Sequence, residues 1–200
     1  SMHNSGFEFD VTWNAIKTKD FSYTLNVVGA TMNNKFVDFS NSKFVGQDYY
    51  DEVSPEDPYP FHHLQRIERG RRIGSFYMLK YAGVDKQGRW VVYDKNNNMV
   101  LADNATDEDQ QYVGNGLPRF TGSMTHTFHY KQFDASLFFQ TALGFDIFNI
   151  HDFYYSTKNF QGNVMDKAYS KNKLVNQNPI VSDYFLEPGD YLKLSSVNIG

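Results

Sequence analysis

Apolar and polar residues alternate with a period of two in five separate stretches of the chain. The clearest example begins at Phe7, after which Phe9, Val11 and Trp13 occupy every second position. The five stretches cover residues 7–16, 21–31, 120–130, 133–145 and 191–199. Because successive side chains of a strand point to opposite faces, the pattern predicts antiparallel strands with one apolar and one polar face. His126, at an apolar position, and Phe138, at a polar position, depart from the alternation.

The connections between these stretches differ greatly in length. Only residues 17–20 separate the first two stretches, and Lys131 and Gln132 join the third to the fourth. By contrast, the polar segment from about Asn33 to Leu117 and a second long segment before Tyr191 separate the remaining stretches. Short turns at one end and long loops at the other are typical of outer-membrane β-barrels.

The length of the stretches and the position of their rings favour the same interpretation. A transmembrane β-strand needs about 9–11 tilted residues, and the stretches agree with that length. Large rings close to the two short turns are predicted to form one belt at a membrane interface, where amphipathic rings are favoured. These rings are Trp13, Phe21, Tyr23, Phe128, Tyr130 and Phe133. An ordinary antiparallel sheet with one apolar face, as in a sandwich or a lipocalin-like barrel, is the alternative.

We therefore expect an all-β chain, a fragment of an antiparallel transmembrane β-barrel with about five wall strands and two long extracellular loops. Five strands do not close a barrel, and bacterial single-chain barrels have even strand numbers, so we expect a longer parent protein. The expected organisation is a barrel hairpin over 1–33, a long extracellular loop over 34–117, a second barrel hairpin over 118–146, an extracellular loop over 147–188 and the start of a further strand over 189–200.

The first long loop contains strand patterns of its own. The segments 75–81 and 90–93 are rich in β-formers and are separated by turn residues, which predicts a small β-subdomain on the outer surface. Aromatic residues of this loop are candidates for contacts with a ligand or partner, because their rings can stack against sugar rings. They can equally pack the subdomain internally. The candidates are Tyr49, Tyr50, Tyr77, Trp90 and Tyr93.

Composition narrows the function classes. The chain has no cysteine, which excludes disulfides and thiolate zinc sites, and its net charge of −4 argues against nucleic-acid binding. Asp94, Asn96 and Asn98 have the spacing that opens a calcium loop, but Met99 and Ala105 replace the expected glycine and glutamate. We predict no metal, cofactor or catalytic site.

A local cluster of arginines lies in the first long loop. For this cluster a solvated loop segment is favoured over a phosphate site. Its members are Arg66, Arg69, Arg71 and Arg72.

A series of motifs lies in order along nearly the whole chain. Its segments are 6–14 with 21–25, 73–77 with 81–85, 113–122, 133–137, 144–149 and 185–194. The series resembles SusC/RagA-type TonB-linked outer-membrane proteins (TonB-dependent receptors), in the later part of their barrel. The motif at 113–122 is similar to the glycine-proline entry of this family into a strand, whereas Lys193 stands where the family usually has arginine.

The resemblance implies a plugged barrel of about 22 strands that imports glycans or peptides across the outer membrane of a Gram-negative bacterium. It also implies a SusD-type surface lipoprotein as partner, TonB acting through the N-terminal region of such receptors, and contact with outer-membrane lipid. A soluble carbohydrate-binding β-domain is the alternative function. A secreted hydrolase would rest only on scattered acidic residues such as Asp107 and Glu108.

Overall fold

A computed structural model describes residues 1–39, 46–52 and 63–200, and these residues are mainly β-strands. The strands are β1 (Met2–Ser5), β2 (Glu8–Lys17), β3 (Phe21–Thr31), β4 (Asn33–Phe36), β5 (Tyr49–Glu52), β6 (Gln65–Glu68), β7 (Ser75–Met78), β8 (Lys80–Val84), β9 (Trp90–Tyr93), β10 (Met99–Leu101), β11 (Gln111–Asn115), β12 (Phe120–Tyr130), β13 (Phe133–Leu143), β14 (Asp146–Phe148), β15 (Leu186–Pro188) and β16 (Tyr191–Ile199). The helix α1 covers Ile150–Tyr155. Within the described ranges, no helix has the length and apolar character needed to span a membrane.

The five long strands form one antiparallel sheet in the order β2-β3-β12-β13-β16. Strands β3, β12 and β16 have the bounds that the alternation predicts. Strand β13 ends at Leu143, two residues earlier than predicted. The next residue, Gly144, has a positive φ of 75° and donates its N–H to Asp190, which turns the chain away from the sheet.

One face of this sheet is apolar across all five strands. A single cross-strand row joins Trp13, Leu25, His126, Leu137 and Val197. Val11, Val27, Met124, Phe139 and Leu194 form the next row. These side chains do not converge on a closed interior, since Trp13 is 60% exposed and Val197 52% exposed in this chain. The all-β barrel-wall architecture that the alternation predicts is confirmed.

His126 lies on this apolar face because neighbouring rings accommodate it. Its Nδ1 is 2.8 Å from the hydroxyl of Tyr23, with which it forms a hydrogen bond. Its ring stacks in parallel with those of Tyr23 and Phe128 and meets the edge of Phe139. A polar group that finds a partner costs little to place among apolar side chains. The cross-strand register therefore explains the departure that the sequence pattern leaves open.

The rings near the short turns form a cluster on the same face, as predicted. Tyr130 lies opposite both Phe21 and Phe133, and Phe128 stacks on Tyr23 with ring centroids 4.8 Å apart. The two turns are joined to each other, because the N–H of Lys131 donates to the carbonyl of Asp20 at 2.9 Å. Both short connections therefore lie at the same end of the strands.

The two long loops share one hydrophobic core, which the sequence analysis does not predict for the second loop. Trp90 is the largest side chain of this core and is only 1% exposed. The buried members are Leu64, Phe76, Met78 and Trp90 from the first loop, and Phe153, Val175, Val181 and Phe185 from the second. The two loops therefore pack against each other and do not fold independently.

Hydrogen bonds reinforce the contact between the loops. The indole N–H of Trp90 donates to the carbonyl of Asn178 at 2.9 Å, and the N–H of Asn176 donates to the carbonyl of Gly88 at 3.0 Å. Gly88 has a positive φ of 81°, and a Cβ there would lie 2.1 Å from the carbonyl oxygen of Leu174. Only glycine permits this close approach of the two backbones.

Replacement of Tyr23 by phenylalanine should leave Nδ1 of His126 without a partner on the apolar face. We expect Tyr23→Phe to lower the free energy of unfolding by about 1–3 kcal/mol, the usual cost of an unsatisfied polar group. The double variant Tyr23→Phe/His126→Phe should regain most of the loss. Urea unfolding of the folded protein measures both effects, and equal losses in the single and double variants would contradict this explanation.

Removal of the Trp90 side chain should loosen both long loops together, because both pack against it. We expect Trp90→Ala to cost about 3–5 kcal/mol in the stability of the loop core. Hydrogen exchange should then rise in residues 75–93 and in residues 172–185 alike. Met99→Ala, which truncates a side chain that is 65% exposed, is the matched control. A rise confined to the first loop would argue against a shared core.

Candidate functional site

The polar face of the five-stranded sheet carries a network of side-chain hydrogen bonds. The side-chain amide of Asn26 donates to Asp10 at 2.6 Å and to Thr12 at 2.9 Å, both on the neighbouring strand β2. Thr24 donates to Asn14 at 3.0 Å in the same way. At the other edge, Ser195 donates to Gln140 and Asn198 donates to Ser136. Such a surface presents donors and acceptors to water along its whole length.

Two of the aromatic candidates lie together around an arginine. The guanidinium carbon of Arg66 is 3.8 Å from the ring centroid of Tyr49 and 4.0 Å from that of Tyr77. Its Nε and Nη2 donate to the two carboxylate oxygens of Asp51, at 2.6 and 2.8 Å. The stack and the bidentate ion pair hold Arg66 in place. Tyr49 keeps about half of its surface exposed.

The other aromatic candidates are separated from this cluster. Trp90 lies in the shared core and packs internally, which is one of the two alternatives that the sequence leaves open. Tyr93 lies in a different sheet from Tyr77, where the ammonium of Lys80 is 5.4 Å from its ring centroid. Tyr50 is exposed on β5. The structure therefore brings together Tyr49 and Tyr77 but not the whole predicted set.

The sequence analysis misses a tyrosine beside this cluster. The hydroxyl of Tyr112 donates a hydrogen bond to the carboxylate of Glu68, and the rings of Tyr112 and Tyr77 are 4.9 Å apart. Burial, together with Glu68, raises the pKa of the Tyr112 hydroxyl far above its usual value. The guanidinium of Arg71 lies 4.4 Å from the centroid of the Tyr112 ring. Since Tyr112 is distant in sequence from 66–77, only the pairing of β11 with β7 reveals the contact.

A recess between α1 and the segment before β15 is also absent from the sequence analysis. It has a volume of about 420 Å³ and combines aromatic rings with side-chain amides. Its lining residues are Tyr154, Thr157, Asn159, Phe160, Gln161, Asn178 and Pro179. The hydroxyl of Thr157 is buried in the described structure without a hydrogen-bond partner. No motif joins these separated segments, so no sequence signal could have identified the recess.

Acidic residues of the first loop accept hydrogen bonds from backbone N–H groups. The backbone N–H groups of Asn96 and Asn98 each donate a hydrogen bond to the carboxylate of Asp94 at 2.8 Å. These bonds, chiefly that from Asn98, lower the pKa of the Asp94 carboxyl. Asp109 accepts bonds from the N–H groups of Thr106 and Lys95, which lower its pKa in the same order. In the part of the chain that the structure describes, no cluster of three or more histidines and carboxylates could hold a metal ion.

Known proteins with a similar sequence are TonB-dependent receptors. The chain is 27% identical over 168 residues to TonB-dependent receptor P3 of Formosa agariphila, covering 74% of this chain and 16% of that protein. It is 25% identical to TonB-dependent receptor SusC of Bacteroides thetaiotaomicron, covering the whole chain and 20% of SusC. No family model matches the chain. The chain thus spans about a fifth or less of the length of these relatives.

Solved structures show the same fold. The RagAB peptide transporter superposes with a TM-score of 0.79 at 20% identity, covering 99% of this chain and 22% of the matched chain. The RagAB peptide importer in its closed-closed state gives a TM-score of 0.77. The fold of this chain is therefore that of a section of the matched RagAB chain. The predicted resemblance to SusC/RagA-type TonB-dependent receptors is confirmed, and all of these matches carry the names of receptors or transporters, not enzymes.

The lowered pKa of Asp94 predicts an acid-dependent stability of the first loop. A carboxyl whose pKa is lower in the folded state stabilises the fold above its unfolded pKa, about 3.9, and this contribution is lost as pH falls through the folded value. We expect the stability of the first loop to fall below about pH 4, with a smaller acid-dependent fall in Asp94→Asn. Tryptophan fluorescence in a Trp13→Phe background, in which Trp90 is the remaining tryptophan of this chain, measures this. Asp107→Asn, whose side chain accepts none of these turn hydrogen bonds, should behave as wild type.

Proposed function

We propose that this chain forms wall strands and external loops of a TonB-dependent importer in the outer membrane of a Gram-negative bacterium. The observation that carries the proposal is the two-faced five-stranded sheet, with an open apolar face on one side and a hydrogen-bonded polar face on the other. A lipid-exposed wall and a hydrated lumen are the surroundings that such a sheet requires.

The apolar face is proposed to contact outer-membrane lipid. Its side chains cover the length of β2, β3, β12, β13 and β16, and Leu192 and Ile199 on the outermost strand are exposed at 68% and 81%. Exposed apolar side chains on so many adjacent positions are costly in water but favourable in a hydrocarbon layer. The ring cluster near the short turns would then lie at the periplasmic interface.

The polar face is proposed to line the lumen through which the nutrient passes. Its hydroxyl, amide and carboxylate groups suit a hydrated oligomer, and we propose a glycan or another oligomeric nutrient such as a peptide. The similarity to the RagAB peptide transporter supports an oligomeric substrate. The exposed rings of Tyr49 and Tyr50, with Tyr77 behind Tyr49 and Tyr93 on the neighbouring sheet, are proposed contacts for the substrate or a partner. Trp90 is buried in the shared core, where its ring packs against Tyr81, Tyr184 and Phe185.

The shared loop core is proposed to stand outside the cell. In this arrangement a SusD-type surface lipoprotein would cap the loops, and TonB would supply energy through the N-terminal region of the receptor. The similarity to SusC supports both partners. Because the two loops pack as one body, the cap would meet a firm surface and not two mobile segments.

Single cysteines test the proposed topology, since the chain contains no native cysteine. In the whole receptor on living cells, Tyr169→Cys in the second loop should react with a membrane-impermeant maleimide. Lys19→Cys in a short turn should react only after the outer membrane is breached. Reaction of both before breaching, or of Lys19→Cys alone, would contradict the proposed orientation.

The same chemistry tests the two faces of the sheet. Val11→Cys and Thr12→Cys are neighbours on opposite faces of β2. We expect the Thr12→Cys thiol to react with a small water-soluble reagent through the lumen, and the Val11→Cys thiol to be protected by lipid. Equal reaction of both thiols in a detergent-free, monomeric preparation would favour the alternative of a soluble carbohydrate-binding β-domain.

A further inference from the structure

One arginine of the basic cluster in the first loop has neither a carboxylate nor an aromatic ring as partner among the described residues. Arg66 is paired with Asp51, Arg69 is paired with Asp38 at 2.8 Å, and Arg71 stacks on Tyr112. Arg72 instead donates only from Nη2, to the carbonyl of Leu117 at 3.2 Å. Its Nε and Nη1 are shielded from solvent and have no hydrogen-bond partner among the described residues. Burial of a guanidinium with two unsatisfied N–H donors costs free energy.

A second arginine increases the positive charge at this place. Arg119 precedes β12 and lies close enough to Arg72 to lower the pKa of the Arg72 guanidinium, although burial is the larger cause. Its stem packs against Gly144, where a Cβ would come within 3.2 Å of the Cβ of Arg119. No ion pair involves Arg72 or Arg119 within residues 1–39, 46–52 and 63–200.

Both arginines line one cavity at the loop end of the sheet. Its volume is about 560 Å³, and no carboxylate is among the described residues that line it. Besides Arg72 and Arg119, its main lining residues are Phe7, Thr31, Met32 and Asn33. Among the residues that the structure describes, the groups that line this cavity are neutral or cationic, and both of its charged side chains are positive.

The position of the cavity relates it to the two faces of the sheet. Phe7 continues the apolar parity of β2, and its carbonyl accepts a hydrogen bond from the N–H of Thr31 at 2.8 Å, which extends the ladder. Glu8, the next residue, lines an adjoining cavity, and the two cavities share Thr31, Met32 and Asn33. Phe7 has the apolar parity, whereas Arg119, the neighbour of Phe120, has the polar parity of β12, so the arginine cavity lies at the border between the two faces of the sheet.

We propose that Arg72 and Arg119 form a binding site for a phosphate group at the outer rim of the barrel. The guanidinium groups of Arg72 and Arg119, which line the same cavity, supply two positive charges and N–H donors for a phosphate group. The group can come from the headgroup of an anionic lipid or from free phosphate. The lipid source rests on the proposed function, which places the apolar face in the membrane, whereas the phosphate chemistry does not.

The test compares two lipids that differ only in the phosphate. The whole receptor, purified in a non-ionic detergent, is titrated with phosphatidic acid, with diacylglycerol and with inorganic phosphate, and bound molecules are counted by native mass spectrometry. The variants are Arg72→Gln and Arg119→Gln. Arg71→Gln removes an equal charge next to Arg72 and is the matched control. Because Arg119 is exposed, Arg119→Gln reports on the site even if Arg72→Gln does not fold.

We expect the wild-type receptor to retain phosphatidic acid in preference to diacylglycerol. Loss of one charge-assisted contact should weaken this binding by about tenfold or more in Arg72→Gln and Arg119→Gln, with Arg71→Gln close to wild type. Arginine-dependent binding of inorganic phosphate without lipid selectivity would support the site and identify free phosphate as its source.

Two results would overturn the proposal. One is equal retention of both lipids together with phosphate binding that is insensitive to Arg72→Gln and Arg119→Gln. The other is an equal loss in Arg71→Gln, which would indicate diffuse charge attraction. Either result leaves the cysteine labelling of the two faces unchanged, so failure of this site is distinguishable from failure of the proposed transport function.

Discussion

The register between the five long strands is the constraint on which the rest of the structure depends. A slip of one residue would exchange the two faces of a strand, so its apolar and polar side chains would change places. Two bulges maintain the register. One extra residue, Ala15, brings Ile16 opposite Tyr23 on the apolar face, and Ser195 does the same for Val197. Without these bulges, the apolar residues at both edges of the sheet would change faces within a single strand.

The loops add a second constraint that acts across the sequence. Residues from both long loops bury one aromatic-rich core, so the connections β3–β12 and β13–β16 are held together above the sheet. Backbone contacts such as Gly88 to Asn176 leave no room for a side chain, which makes the packing specific. A firm loop body of this kind suits a surface that meets a substrate or a lipoprotein partner, because little conformational entropy is then lost on binding.

The loop charges show which groups are structural and which remain available. Arg66 and Asp51, Arg89 and Asp85, and Lys95 and Glu108 neutralise each other within the fold. Asp94 and Asp109 are satisfied by backbone N–H groups of their own turns. Against this background of local pairing, the unbalanced charge of Arg72 beside Arg119 stands out as a group that the fold itself does not satisfy.

The sequence by itself determined the strands, their faces and the side of the short turns, because a period of two is a local property that needs no partner. It also identified Tyr49 and Tyr77 as candidate contact residues. It could not separate them from Trp90, because Trp90 is aromatic too and its burial depends on the second loop. Only the tertiary structure decided four features of the chain. These are the hydrogen bond of His126, the Tyr112–Glu68 contact, the shared loop core and the proximity of Arg72 to Arg119. Each of them joins residues that are distant in the chain, and only the strand order and register bring such residues into contact.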